Sequence, residues 1–165
     1  MQSNIRCSVL LIISIMSFHA SAACDSPAHR QFDFWLGTWD VYSPQHKIVG
    51  INKITSQLNG CILTEEYQTP SGYQGQSINI FDVSNQQWHQ TWVDNSGLLL
   101  SLNGKFDGQS MVLEGPGKTP KGENIVHRIT WTPSAGKSVR QHWESSQNNG
   151  KTWTTLFDGK YVKRK

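Results

Sequence analysis

From residue 39 onward, apolar and polar residues alternate with a period of two. Turn-forming groups interrupt the alternation at intervals of roughly ten residues. They are Pro70-Ser71-Gly72, Asn95-Ser96-Gly97, Asp107-Gly108, Pro116-Gly117, Ser134-Ala135-Gly136, Asn149-Gly150 and Asp158-Gly159. Runs of β-branched and aromatic residues between such turns are strands joined as hairpins. The pattern predicts strands over 39–44, 47–58, 61–69, 75–83, 87–94, 98–106, 109–115, 124–132, 138–146 and 152–163. This makes the fold all-β, a single antiparallel up-and-down barrel of about ten strands. The one helical candidate is Pro27 to Leu36, with Ser26 as cap and Pro27 at the first position. It is short and suited to plug one end of the barrel.

The alternation also sorts the faces. On 87–94, Trp88, Gln90 and Trp92 oppose His89, Thr91 and Val93. On 124–132, Ile125, His127, Ile129 and Trp131 oppose Val126, Arg128 and Thr130. On 138–146, Val139, Gln141 and Trp143 oppose Arg140, His142 and Glu144. The Trp-bearing faces are expected to be the inner ones, and two of them carry a Gln among apolar neighbours.

The start of the chain follows a different rule. Arg6 precedes an apolar run from Val9 to Phe18, and Ala20-Ser21-Ala22-Ala23 follows it. That order is a secretory signal peptide, with a run too short to span a bilayer. We place cleavage after Ala23, leaving 24–165 as one barrel domain and a periplasmic or secreted location. Lipid modification at Cys24 would call for a branched apolar residue three positions earlier, where Ser21 stands. Cys7 leaves with the leader, so Cys24 and Cys61 remain, and a disulfide between them is the simplest outcome in an oxidising compartment. Losing Arg6 and no acid takes the formal charge from +3 to +2. Nucleic acid is therefore not an expected partner, because phosphate binding needs a clustered basic face. The mature part has no apolar stretch long enough to span a membrane. Composition leaves the oligomeric state open.

The segment Phe32-Asp33-Phe34-Trp35-Leu36-Gly37-Thr38-Trp39-Asp40-Val41 resembles the opening signature of a family of exported bacterial proteins of unknown function with a lipocalin-like (calycin) barrel. The similarity continues through Gly60-Cys61, Trp88 to Asp94, Arg128 to Pro133, Val139 to Glu144, Gly150 to Trp153 and Phe157 to Tyr161. The resemblance implies the fold and no particular activity. Gly37-x-Trp39 is also similar to the first strand of lipocalins, which implies that Trp39 packs at the closed end. Nitrobindins are more distantly similar. Tyr42 and Ser43 replace their further glycines, and no His follows His142 to act as their haem ligand. No cofactor is expected.

Several motifs invite chemistry. Trp88, Trp92, Trp131 and Trp143 are candidate walls of a ligand cavity, with Gln90 and Gln141 as orienting groups and His127 as the one histidine on an inner face. A core in which each Gln pairs with backbone or a Trp N–H is the alternative. His89, His127 and His142 lie on three strands without the short spacing of a metal site. Ser146 to Trp153 resembles the Asp-box of sialidases, with Asn148 in place of Asp, and a tight hairpin at Asn149-Gly150 accounts for it. Gly115-Pro116-Gly117-Lys118-Thr119 imitates part of a phosphate loop, but Val112 stands where its first Gly belongs, so a loop between strands is expected. Glu65 and Glu66 are adjacent on a strand, point to opposite faces and cannot share one site. No catalytic residues and no metal ligands are assigned. The expectation is an exported binder of a small, partly apolar molecule in the lumen, without covalent chemistry. A lumenal enzyme using His127, Arg128 or Glu144, and a filled barrel that docks an envelope protein, are the alternatives.

Overall fold

Ten strands follow one another as nearest neighbours, and the last returns to pair with the first. The computed structural model describes residues 24–135 and 137–164. The expected signal peptide, 1–23, lies outside the described residues. The strands are β1 (Gly37–Tyr42), β2 (Ile48–Gln57), β3 (Ile62–Gln68), β4 (Gln74–Asp82), β5 (Gln87–Asp94), β6 (Leu99–Phe106), β7 (Met111–Lys118), β8 (Asn124–Ser134), β9 (Ser138–Ser146) and β10 (Thr154–Lys163). All pairs are antiparallel, and β1–β10 pairing closes the barrel, with Trp39 opposite Lys163 and Tyr42 opposite Lys160. Closure removes the free edges that would template aggregation.

The expected N-terminal helix is two 3-10 turns, Pro27–Arg30 and Asp33–Trp35. Ser26 is extended as a cap should be, but its hydroxyl meets Nδ1 of His29 at 2.8 Å instead of a backbone N–H. Phe32 breaks the helical path at φ −105°, ψ 3°. So short a segment forms too few bonds to offset α-helix nucleation. The break turns both Phe32 and Trp35 inward, where they stack at 4.9 Å. Phe32 also meets Trp88 at 5.5 Å and Trp131 at 5.2 Å. Each such aromatic pair adds about 0.5–1.5 kcal/mol beyond the area it buries. Trp39 is buried beside them, its indole N–H donating to the Trp35 carbonyl at 2.8 Å. One end of the barrel is therefore packed solid.

Two tethers hold this plug. Cys24 and Cys61 form a disulfide with a Cα–Cα distance of 4.9 Å. Arg30 donates to the carbonyl of Gly60 in the same β2–β3 turn. The expected inner faces are inner: Trp88, Gln90, Trp131, His127 and Val139 are buried. His89 bonds Asn103 and Thr91, and His142 bonds Thr155, on the outer side.

The 115–119 segment departs from expectation. Gly115, Pro116 and Gly117 are not a loop but strand β7, opposite His127, Val126 and Ile125 of β8. Pro116 is tolerated because the β6–β7 ladder stops at Glu114, so its missing N–H breaks no pairing with β6. The 147–153 connection is longer than a two-residue hairpin. Asn149 and Gly150 take positive φ (53° and 82°), while the Ser146 and Asn148 side chains close the loop.

Candidate functional site

The half of the barrel away from the plug is not filled. A cavity of about 260 Å³ lies there, lined by side chains of β3, β5, β6, β8, β9, β10 and the turn after β3. Its walls are the rings of Tyr67, Tyr73, Trp92, Trp143 and Phe157 with Leu100 and Ile129. Its polar lining is Glu65, Gln90, Gln141 and Tyr161. It reaches the surface at Leu156, which is 48% exposed.

Alternation delivers most of these groups. Leu63, Glu65 and Tyr67 share the inner face of β3, as Gln90 and Trp92 do on β5 and Gln141 and Trp143 on β9. β10 breaks the rule to advantage. Its register with β9 shifts between Thr155 and Phe157, so Leu156 is an extra residue. This bulge brings both Leu156 and Phe157 to the cavity.

The floor is a hydrogen-bonded polar layer. Glu65 is 3% exposed. One carboxylate oxygen accepts from Nδ2 of Asn52 and the other from the Ser77 hydroxyl, both at 2.6 Å. Asn79 donates to Ser77 at 2.9 Å, and Gln90 donates to Oδ1 of Asn79 at 2.8 Å. Tyr161 donates its hydroxyl to Gln141. Burial pushes the Glu65 carboxyl up to about 7, against the pull of the Ser77 and Asn52 hydrogen bonds. Burial and the nearby Glu65 charge push Tyr67 up to about 12, and Tyr161 is raised by the same causes.

The rim is held by a second carboxylate. Asp94 accepts from the Tyr73 hydroxyl at 2.7 Å and from the Trp92 indole at 3.3 Å. Burial alone would raise Asp94, but hydrogen bonds from Ser96, Tyr73 and Trp92 outweigh it and hold the carboxyl at about 2. Trp143 donates to Nδ1 of His127 at 3.1 Å, so that ring nitrogen carries no proton. Desolvation lowers the His127 pKa in keeping with that neutral state.

Gly75 makes room for the Trp92 ring: a Cβ there would lie 2.1 Å from it. Gly75→Val is therefore expected to displace Trp92, break its bond to Asp94 and destabilise the fold by about 1–3 kcal/mol. Denaturant unfolding with the native tryptophan spectrum checks this, and an unchanged spectrum and midpoint would count against it.

The seven candidate binding residues separate into three groups. Gln90, Trp92, Gln141 and Trp143 line the cavity. Trp88 and Trp131 belong to the aromatic plug, where their indole N–H groups are buried without partners. His127 stands behind Trp143. Of the acid–base groups expected of a lumenal enzyme, Arg128 and Glu144 form an outer-face ion pair at 3.0 Å. Arg128 also stacks on Trp153 at 3.8 Å. They do not meet His127 in a common site. Asn52, Ser77, Asn79, Tyr67, Tyr73 and Tyr161 were not singled out by the sequence, and Glu65 was weighed there only as a pair with Glu66. Period two on 61–69 does turn Glu65 inward and Glu66 outward, and that is the signal that marks it. No protein-family model and no curated protein matches the chain.

Proposed function

We propose that this is an exported binding protein, periplasmic or secreted, that holds one small, partly apolar molecule in the barrel lumen without covalent chemistry. The observation that carries the reading is the unfilled half-lumen: ring walls above a polar floor, closed below by packed aromatics. Ligand sites have this composition, mostly apolar with a few convergent polar groups. Their usual volumes start at about 300 Å³, and this cavity, at about 260 Å³, falls just short of that, so it suits only a very small guest, such as a single aromatic ring with a short side chain. The export reading is supported by the order of residues 1–23 and by the Cys24–Cys61 bond.

Native mass spectrometry of the protein purified from its own host tests this. An organic mass that dissociates on unfolding is expected. A bare protein mass, together with no change in tryptophan fluorescence across a panel of small aromatic compounds, would overturn it. A packed barrel that docks another protein would then be the better account.

A further inference from the structure

We propose, resting on the lumen being a ligand site, that the ligand is an organic ammonium. Its protonated amine sits on Glu65 and its apolar body lies among the rings of Tyr67, Tyr73, Trp92, Trp143 and Phe157.

Among the described residues Glu65 is the only acid that lines the cavity, and no Lys, Arg or His does. Glu65 takes part in none of the ion pairs among the described residues. A buried carboxylate without a cation is unfavourable, and it is stabilised by a partner of opposite charge. Its two donors, Asn52 and Ser77, are neutral, and each occupies one oxygen. An ionised carboxylate has about four acceptor sites, so capacity remains for an incoming N–H.

The walls point the same way. Asp94 engages the Tyr73 hydroxyl and the Trp92 N–H, His127 engages the Trp143 N–H, and Gln141 engages the Tyr161 hydroxyl. With their polar handles occupied, these residues offer mainly ring surface. Ring faces are negative and attract cations, most strongly when water is excluded. Asp94 adds a second negative charge at the rim. An anionic guest would meet two carboxylates and no cation.

Binding an ammonium holds Glu65 ionised, so it expels the proton that the empty site retains near neutrality. From β2 and β4 Glu65 meets only Asn52 and Ser77, and the titratable groups facing it are Tyr67 and Tyr161. Both tyrosines stay neutral across this range. Affinity for the amine should therefore rise as pH climbs through about 7 and level off above it, where Glu65 is ionised already.

Isothermal titration calorimetry with three probes of similar shape tests the assignment: phenethylamine, phenethyl alcohol and phenylacetate. The amine is expected to bind at least about tenfold more tightly than the alcohol, with phenylacetate weakest. Glu65→Gln is expected to bring the amine-to-alcohol ratio close to one. Equal affinities for amine and alcohol, or a preference for phenylacetate, would overturn the ammonium assignment and leave the lumen as a ligand site. Failure of all three probes to bind would overturn both.

Discussion

Replacing Cys24 and Cys61 together with alanine is expected to lower stability by about 4 kcal/mol, from the chain entropy that a cross-link over this separation removes from the unfolded state. The two cysteines are 37 positions apart in sequence. The loop they close contains the plug residues Phe32 and Trp35 together with β1 and β2. Without the bond, the plug is held by Arg30 on Gly60 and by the stack of Phe32 and Trp35 on Trp88 and Trp131. Those contacts persist in the native state, so the variant still folds. Its melting point is expected to fall by roughly 10–15 °C for a domain of this size. Denaturant unfolding of the double variant beside the oxidised parent measures the difference. A loss below about 1 kcal/mol would show that the loop is already restrained in the unfolded chain.

The second large effect reverses sign with pH. In the folded barrel Glu65 holds its proton to about 7, whereas its ordinary value is 4.5. Between those values the native state binds more protons than the unfolded state, so stability falls as pH rises. The contribution of Glu65 is fully present below 4.5 and is lost as pH climbs through about 7. At 1.36 kcal/mol per unit, the loss is on the order of 3 kcal/mol. Glu65→Gln abolishes the ionisation. Its carbonyl still accepts from Asn52, but the Ser77 hydroxyl loses its acceptor, at about 1 kcal/mol. The variant should therefore be less stable than the parent at about pH 4 and more stable by about 2 kcal/mol at about pH 8. Groups common to both proteins, Asp94 among them, cancel in the difference. Unfolding midpoints across that range test it, and parallel curves would refute the assignment of a buried proton to Glu65.

The empty barrel thus carries a destabilising charge at its floor under mildly alkaline conditions. A bound cation would remove that penalty, so ligand affinity and fold stability are coupled through one side chain. The amine probe should accordingly raise the melting point of the parent more at high pH than at low pH.

Much of this was legible in the chain. Period-two alternation with Gly, Asn and Pro turns located ten strands, and the parity of Trp88, Gln90 and Trp92 assigned their inner face. The leftover pair of cysteines gave the disulfide. These are local properties: a residue's side of a strand depends on its parity, and a hairpin depends on the φ its turn residues tolerate. The 3-10 break at Phe32, the β10 bulge at Leu156 and the strand state of Pro116 were not legible, because each depends on what the neighbouring segment leaves unpaired.

The sequence by itself thus determined the architecture and, on the regular strands, which side of the sheet each side chain faces. The tertiary structure alone decided the height at which each enters. Trp88 and Trp92 share one face of β5, yet one belongs to the plug and the other to the cavity rim. Height follows from the stagger of each strand on the next, accumulated around all ten pairings until β10 meets β1. That stagger sets Asn52 of β2 beside Tyr161 of β10, 109 residues away, with Glu65 against both strands' side of the floor. A burial that raises a carboxyl to about 7 exists only once that ring is closed.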